Sequence, residues 1–494
     1  MHSASFPTAD AGNRVDNRVP DRAARVRFRR AVALMLMTLV LPGSAQLVAG
    51  NRRVGRIALR LWFALALVGV GALVLGLVSR DFAFWAVSNT TLLGALRLAL
   101  MALAVGWAYL IVDAWRIGQP LSLRQNHRLA VVGVNGVLCF SVAGTLLFGA
   151  HMVGVQRDFM VTMFGHGEVV GAHDGRFNVL LLGGDSGAGR WGLRPDSMTV
   201  ASIDAESGKT VLVSLPRNMA NFPFRKGSVM DKQFPRGFDC DGCYLNGVST
   251  WAGDHTDLFK GSDNPGVDAT IMAIEGITDL KINYWAMVNL EGFKELVDAV
   301  GGVELTVRDR IPVGGLGSDV TGYIEPGTRR LNGHDTLWFA RSREGSDDYS
   351  RMARQKCVMG AMLEQISPEV AVRNFQKIAQ ASTQMISTNL PQSEVDNFMG
   401  LALRAKSQKI ATVSLVPPMI NTADPDIKLI RQKVGEAIDR AEGKQVTLAA
   451  GDADAGEGKK KAKVPSTPSL TGGSFGSLRE GYAANEAEDL GSAC

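Results

Sequence analysis

Three long apolar stretches constrain this chain more than anything else in it. Residues 61–78 read LWFALALVGVGALVLGLV, residues 98–112 read LALMALAVGWAYLIV and extend back past Arg97 to Leu92, and residues 129–150 read LAVVGVNGVLCFSVAGTLLFGA. Each approaches the ~20 residues that a helix needs to cross the apolar core of a bilayer. One such run could be a buried core helix. Three in succession predict spans at about 59–79, 92–112 and 129–151.

A fourth run, residues 31–50, is broken by Pro42-Gly43-Ser44. Arg25, Arg27, Arg29 and Arg30 precede it, and Arg52, Arg53 and Arg56 follow it. Arginine clusters favour the cytoplasmic side. Both ends of the run therefore read as cytoplasmic, which predicts a re-entrant or interfacial hairpin rather than a span. The loop with Arg116, Arg124, His127 and Arg128 is then inside, and everything after His151 is extracytoplasmic. The first run lacks a small-residue cleavage site and further spans follow it, unlike a cleavable signal. The expected organisation is a disordered basic cytoplasmic tail (1–30), a membrane region (31–152), an extracytoplasmic domain (153–442) and a disordered low-complexity tail (443–494). That last stretch is rich in Gly, Ser, Pro, Lys and Asp and has few apolar residues to bury.

The outer domain mixes strand and helix patterns. FNVLLLG is a short, almost wholly apolar run typical of a buried strand, followed by SMTVASID and KTVLVSL. NPGVDATIMAIEGIT reads as a helix with proline near its start, INYWAMVN as a strand, and LEGFKELVDAVGG as an amphipathic helix stopped by Gly301-Gly302. VELTV is a strand and LNGHDTLWFAR a short helix. Residues 351–405 look mainly helical, KIATVSLV is a last strand, and 426–441 a last helix. The fold class is α/β, a sheet with helices on its faces or a three-layer sandwich.

Charged residues gather in two short blocks of that domain. Arg194, Asp196 and Arg217 lie in LRPDS and SLPRN; Arg341, Arg343, Asp348, Arg351, Arg354 and Gln355 lie in FARSREGSDDYSRMARQK. Arginines beside aspartates are most often solvated ion pairs of little energy. Here one group follows the Gly-rich turn LLGGDSGAG and another ends an apolar strand, and Arg351, Arg354 and Gln355 share one face of a helix. A planar guanidinium matches phosphate oxygens two at a time, so the blocks predict a pyrophosphate site. Cys240 and Cys243, in CDGC, have no further metal ligands nearby and read as a structural disulfide, with thiol chemistry as the alternative. Cys139 falls in a span, Cys357 in a helix and Cys494 at the end of the tail.

Taken in order, NVLLLGGDSGAGRWGLRPDSMTVASID, VLVSLPRN, YLNG, INYWAMVNLEGFKELVDAVGGVELTV, LNGHDTLWFARSR and DDYSRMARQ resemble the LytR-CpsA-Psr family of cell-wall ligases over about residues 175–370. The multi-span N-terminus is similar to that of actinobacterial members. The resemblance implies an α/β/α sandwich whose hydrophobic channel holds a polyprenyl chain, with its pyrophosphate at the mouth. It implies transfer of a phospho-glycopolymer, arabinogalactan or a related glycan, from that carrier to a peptidoglycan hydroxyl. By motif, Arg194, Arg217, Arg341, Arg343, Arg351, Arg354 and Gln355 would hold the pyrophosphate, and Asp185 and Asp196 would orient Mg²⁺ or Mn²⁺. Asp196, Arg217, Arg341, Arg343 and Asp348 would form the catalytic set, with Asp196 or Asp348 as base. The sequence departs from the motifs at Gly184, where Val is usual, at Asn218, where the family has Asp, and at Tyr349, where it has Phe.

The expected partners are a polyprenyl-pyrophosphate-linked glycan, peptidoglycan and membrane lipid. Hydrolysis of the lipid pyrophosphate and a non-enzymatic lipid-pyrophosphate receptor are the alternatives. Nucleic acid is disfavoured, because the arginine blocks lie on the extracytoplasmic side of the predicted topology. Ser186 has no histidine in a matching motif and is a poor nucleophile candidate.

Overall fold

The computed structural model describes residues 18–164, 167–184, 194–315, 319–344, 346–366, 374, 377–378, 386–444, 485–486, 488–492 and 494. The chain divides into two units, Met1–Ala86 with Thr91–Gly154, and Val87–Thr90 with Val155–Cys494.

The first unit is helical. Its elements are α1 (Arg18–Val40), α2 (Ser44–Ala49), α3 (Arg52–Val78), α4 (Arg80–Ser88), α5 (Thr90–Ile117) and α6 (Gln125–Met163), of which α4 and α6 end, and α5 begins, with residues of the second unit. Three helical stretches, Arg52–Val78, Thr90–Ser122 and Gln125–Met163, are long and apolar enough to cross a membrane. Their faces are uncovered: Leu67, Val78 and Phe140 are 75%, 80% and 83% exposed. Apolar surface of that extent needs lipid or a partner to cover it.

Residues 31–50 climb along α5 and return along it. Ala31 lies against Gly118, just past the end of α5. Thr38 accepts a hydrogen bond on its carbonyl from Trp107 Nε1 (3.0 Å). On the way back Gln46 Nε2 donates to Leu110 O (2.9 Å) and Asp113 Oδ2 (3.1 Å), and Gly50 lies against Ile117. The excursion from Gly118 to Trp107 is about 16 Å at 1.5 Å per residue. The turn is made at Gly43, whose φ of +92° favours glycine and whose missing Cβ lets Gly55 O approach.

In the second unit a six-stranded sheet has the order β10-β3-β2-β1-β4-β9. Its strands are β1 (Arg176–Gly184), β2 (Pro195–Asp204), β3 (Thr210–Leu215), β4 (Tyr284–Asn289), β9 (Ile386–Thr388) and β10 (Ala411–Ser414). β1, β2 and β3 pair antiparallel in sequence, while β4 joins β1 and β10 joins β3 in parallel. Alternation sends Leu180, Leu182, Val200, Val211 and Val213 into one core and Leu181, Ala201 and Leu212 into another. The first core is covered by α8 (Val248–Asp254), α9 (Pro265–Thr278) and α14 (Ile427–Glu442), with the short α7 (Val229–Gln233) at its margin. The second is covered by α12 (Asp348–Gln365) through Met359 and Leu363. Phe177, Tyr284 and Leu401 of α13 (Val395–Lys406) form a third patch. This is a three-layer α/β/α arrangement.

A smaller lobe holds α10 (Leu290–Ala299), α11 (Gly333–Arg341) and two hairpin pairs. These are β5 (Val303–Val307) with β8 (Gly327–Leu331), and β6 (Ile311–Gly314) with β7 (Val320–Ile324). It packs against the far side of α12 through Phe339, Cys357 and Val358. The sequence reading has no counterpart for β6 to β9, which are three to five residues long and carry little alternation.

The last described residues depart from one expectation. The stretch 443–494 was expected to be disordered, yet residues near its end are packed and bonded. Leu490 is 5% exposed in the second core, Glu488 O accepts from Thr412 N (2.8 Å), and Leu490 N donates to Ile410 O (2.9 Å). Cys494 is disulfide-bonded to Cys357. One apolar side chain, a free strand edge and a covalent link hold a segment whose composition alone has little to bury.

Candidate functional site

The site begins with the register of two strands. β2 and β3 pair antiparallel with Met198 opposite Leu215. Continuing that register two residues outward puts Asp196 opposite Arg217, and Arg217 Nη1 donates to Asp196 Oδ1 at 2.5 Å. The helix α12 supplies the next layer. Asp347 caps its N-terminus, accepting from Tyr349 N (2.7 Å) and Ser350 N (2.9 Å). Asp348 thereby falls in the first helical turn, where the helix dipole favours a carboxylate. Its Oδ2 accepts from Arg217 Nε (2.9 Å) and its Oδ1 from Arg343 Nη1 (3.2 Å), with Arg351 Nη2 at 3.8 Å.

Three arginines and two aspartates thus meet, from β2, the end of β3, the α11–α12 link and α12. Arg351 is 3% exposed, and its Nε and Nη2 are buried without a hydrogen-bond partner among the described residues. Burial pushes Arg351 down to about 10 against the pull of Asp348. Burial also works to raise the Asp348 carboxyl, but Arg351, Arg217 and Arg343 outweigh it and hold the group below the usual carboxylate range. For Arg217 burial is outweighed by Asp348 and Asp196, which raise it. The cluster carries one positive charge more than its carboxylates neutralise and two buried donors without acceptors. Both features suit a phosphate oxyanion.

The other predicted residues are placed differently. Arg354 was expected to bind pyrophosphate, but it is 0% exposed. Its Nε donates to Phe339 O (2.7 Å) and its Nη2 to Ser342 O. It caps the end of α11 from within, and burial lowers it to about 10. The guanidinium assigned by sequence to the pyrophosphate thus gives its Nε and Nη2 to buried carbonyls and holds the Arg341–Arg343 segment. Gln355 Nε2 donates to Ala340 O (3.4 Å) and also lines a cleft beside the cluster. The Arg341 guanidinium lies 5.0 Å from the centroid of the Trp338 ring. Arg194 is exposed just before β2. Asp185 and Ser186 lie outside the described residues. Cys240 and Cys243 form a disulfide. Tyr349, in the position of the family's Phe, shares a 3.0 Å hydrogen bond with Thr422 Oγ1.

Among the described residues no group of three or more His, Cys, Asp or Glu converges on one point. Asp196 spends Oδ1 on Arg217, leaves Oδ2 without a hydrogen bond among the described residues, and its side chain is 34% exposed. A single accessible carboxylate fits a magnesium ion that arrives with phosphate oxygens, not one caged by the protein.

The cleft beside the cluster holds a residue that the sequence reading passed over. Lys356 lines it with Ser197, Thr199, Ser214, Gln355 and Asp196. The signal was available: Met352, Lys356, Met359 and Leu363 repeat at helical spacing, so Lys356 interrupts an apolar stripe.

Residues 154–424 match the model of the LytR_cpsA_psr family. Biofilm regulatory protein A of Streptococcus mutans is 26% identical over 289 residues, 56% of this chain and 66% of that protein. TagV of Bacillus subtilis, a polyisoprenyl-teichoic acid–peptidoglycan teichoic acid transferase, is 26% identical over 258 residues, 50% of this chain and 58% of its own. The crystal structure of B. subtilis TagV aligns with a TM-score of 0.39 at 22% identity, covering 56% of this chain and 100% of that one. The match thus spans about three-fifths to two-thirds of the length of these curated relatives.

Proposed function

The chain belongs to the LytR_cpsA_psr family, and from that premise we propose that it is a membrane-bound phosphotransferase. It moves a phospho-glycopolymer from a polyprenyl-pyrophosphate carrier to a peptidoglycan hydroxyl, on the extracytoplasmic side. The observation that carries the reading is Arg351, a buried guanidinium with two nitrogens that lack a hydrogen bond among the described residues, inside a cluster of three arginines and two aspartates. Transferases for polyisoprenyl-linked teichoic acid among the relatives support the same class of donor and acceptor.

In this mechanism the acceptor hydroxyl oxygen attacks the glycan-linked phosphorus. The bond from that phosphorus to the bridging oxygen breaks, and its electron pair leaves with polyprenyl monophosphate. Charge grows on the phosphate oxygens as this happens, and fixed cations aimed there lower the barrier most. Arg217, Arg343 and Arg351 are supported in that role by their convergence on Asp348. Asp348 is a poor proton acceptor while three arginines hold it ionised. Asp196, more exposed and paired to one arginine, is the more accessible carboxylate, either for the hydroxyl proton or for a metal ion. A Mg²⁺ bound with the pyrophosphate through Asp196, with Asp185 as second carboxylate, would add Lewis-acid stabilisation. An arabinogalactan-type donor is the finer reading, and it rests on the sequence resemblance of the multi-span N-terminal region alone.

The test uses the full chain in detergent micelles with a labelled polyprenyl-pyrophosphate saccharide, Mg²⁺ and peptidoglycan fragments. Label transferred to peptidoglycan with release of polyprenyl phosphate is the expected result. Free phosphorylated saccharide without acceptor would make it a hydrolase. Tight binding without turnover would make it a receptor.

A further inference from the structure

The cleft between the sheet and α12 is lined about equally by apolar side chains, Met352 and Met359 among them, and by polar residues that include Ser197, Gln355 and Lys356, with the Thr199 and Ser214 hydroxyls bonded to each other (3.3 Å). Its one acidic wall, Asp196, gives an oxygen to Arg217. Lys356 is 3% exposed. Its Nζ donates to Asn485 O at 3.3 Å, and among the described residues no carboxylate forms an ion pair with it. Lysines are almost never buried without a counter-charge. Burial pushes this one down to about 8.

The chain end holds the ammonium where it is. Asn485 Nδ2 donates to Tyr349 O (2.7 Å) on α12, so the carbonyl that receives Lys356 is itself anchored. Beyond it the segment pairs with Ile410 and Thr412, and its last residue is disulfide-bonded to Cys357, the neighbour of Lys356. Lys356 is thus a cation fixed in place before any ligand arrives, at the wall of a cleft that shares Asp196 with the arginine cluster. Pre-positioned charge of this kind is what an anion site requires.

We propose that Lys356 is a fourth phosphate-binding cation of this site, taking an oxygen of a lipid-linked pyrophosphate from the cleft side while the arginines take others. The inference rests on the function proposed above. A purely structural lysine makes the opposite prediction about stability. A lysine whose folded pKa lies below its unfolded value destabilises the fold wherever the unfolded side chain is charged. Replacing a buried, unpaired charge by an apolar group of similar length is therefore neutral or stabilising.

The experiment titrates the full chain in detergent micelles with geranylgeranyl pyrophosphate by calorimetry and records melting temperatures for K356M, K356R and R217A. K356M should melt at or above the wild-type temperature and bind about tenfold or more weakly, as expected for one charge-assisted hydrogen bond. K356R should recover most of that affinity. Wild-type affinity in K356M, with R217A impaired, overturns the role of Lys356 and leaves the proposed function standing. Loss of melting temperature and affinity together in K356M, unrescued by K356R, makes the lysine structural and also overturns it. Failure of the wild type to bind the probe, or equal binding by R217A, sinks the pyrophosphate reading itself.

Discussion

At the scale of single residues, the site is a balance around one carboxylate. Asp348 is ionised inside a ring of Arg351, Arg217 and Arg343, so its folded pKa is below its unfolded value. Its contribution to stability is fully present above the ordinary carboxylate pKa of about 4 and is lost as pH falls below it, because the unfolded state then binds more protons. Denaturant unfolding from pH 6 to pH 3 should show this loss in the wild type and a flatter profile in D348N; equal slopes would remove Asp348 from the account. Arg343 and Arg354 should separate cleanly. R343A removes a half-exposed donor and should cut transfer about 10²- to 10³-fold with little change in melting temperature. R354A empties a fully buried position and orphans the carbonyls of Phe339 and Ser342, each worth about 1–3 kcal/mol, so it should destabilise the domain first. If R354A melts like the wild type, its capping role is wrong.

At the scale of elements, α12 does most of the assembly. Its capped N-terminus sets Asp348, one face carries Arg351 and Arg354, and the adjoining face carries Met352, Lys356 and Met359. The α1–α2 hairpin is the corresponding element of the other unit. Its two ends lie at the same end of α5 and its excursion of about 16 Å is roughly half of a bilayer's ~30 Å apolar core. Residues 31–50 are therefore predicted not to cross. A reporter inserted after Asn51 should read the same side as the N-terminus, and opposite sides would refute the hairpin in the membrane. Substituting Gly43 by Val should disrupt the turn, since its φ is +92° and a Cβ would meet Gly55 O at 2.8 Å.

At the scale of the whole chain, the segment from Asn485 to Cys494 is joined to α12 across 137 residues. A cross-link of that span restricts the unfolded state strongly, and removing a native one costs about 2–5 kcal/mol. C494S should lower the melting temperature of the second unit under oxidising conditions, and a reductant should lower the wild type toward it. No change in C494S would mean that Leu490 and the β10 edge hold the segment without the bridge.

The sequence by itself determined the elements whose signal is local. The apolar runs announce three long helices by length and charge alone. Buried strands show in FNVLLLG and KTVLVSL, α9 in its leading proline, and the end of α10 in Gly301-Gly302, where φ is +89° and +83°. The arginine blocks were legible as chemistry, because guanidinium and carboxylate at those positions have few uses. How each arginine is partnered was decided only by the fold. Arg351 and Arg354 are three residues apart on one face of α12, yet the first points at Asp348 and the second at the carbonyls of α11, a difference set by which partners the fold brings to each. The pairing of Asp196 with Arg217 needed the β2–β3 register, and the pairing of Cys357 with Cys494 needed the chain end to find a free strand edge. Those contacts join residues far apart in sequence, where no local propensity or spacing carries their signal, and packing alone brings them together.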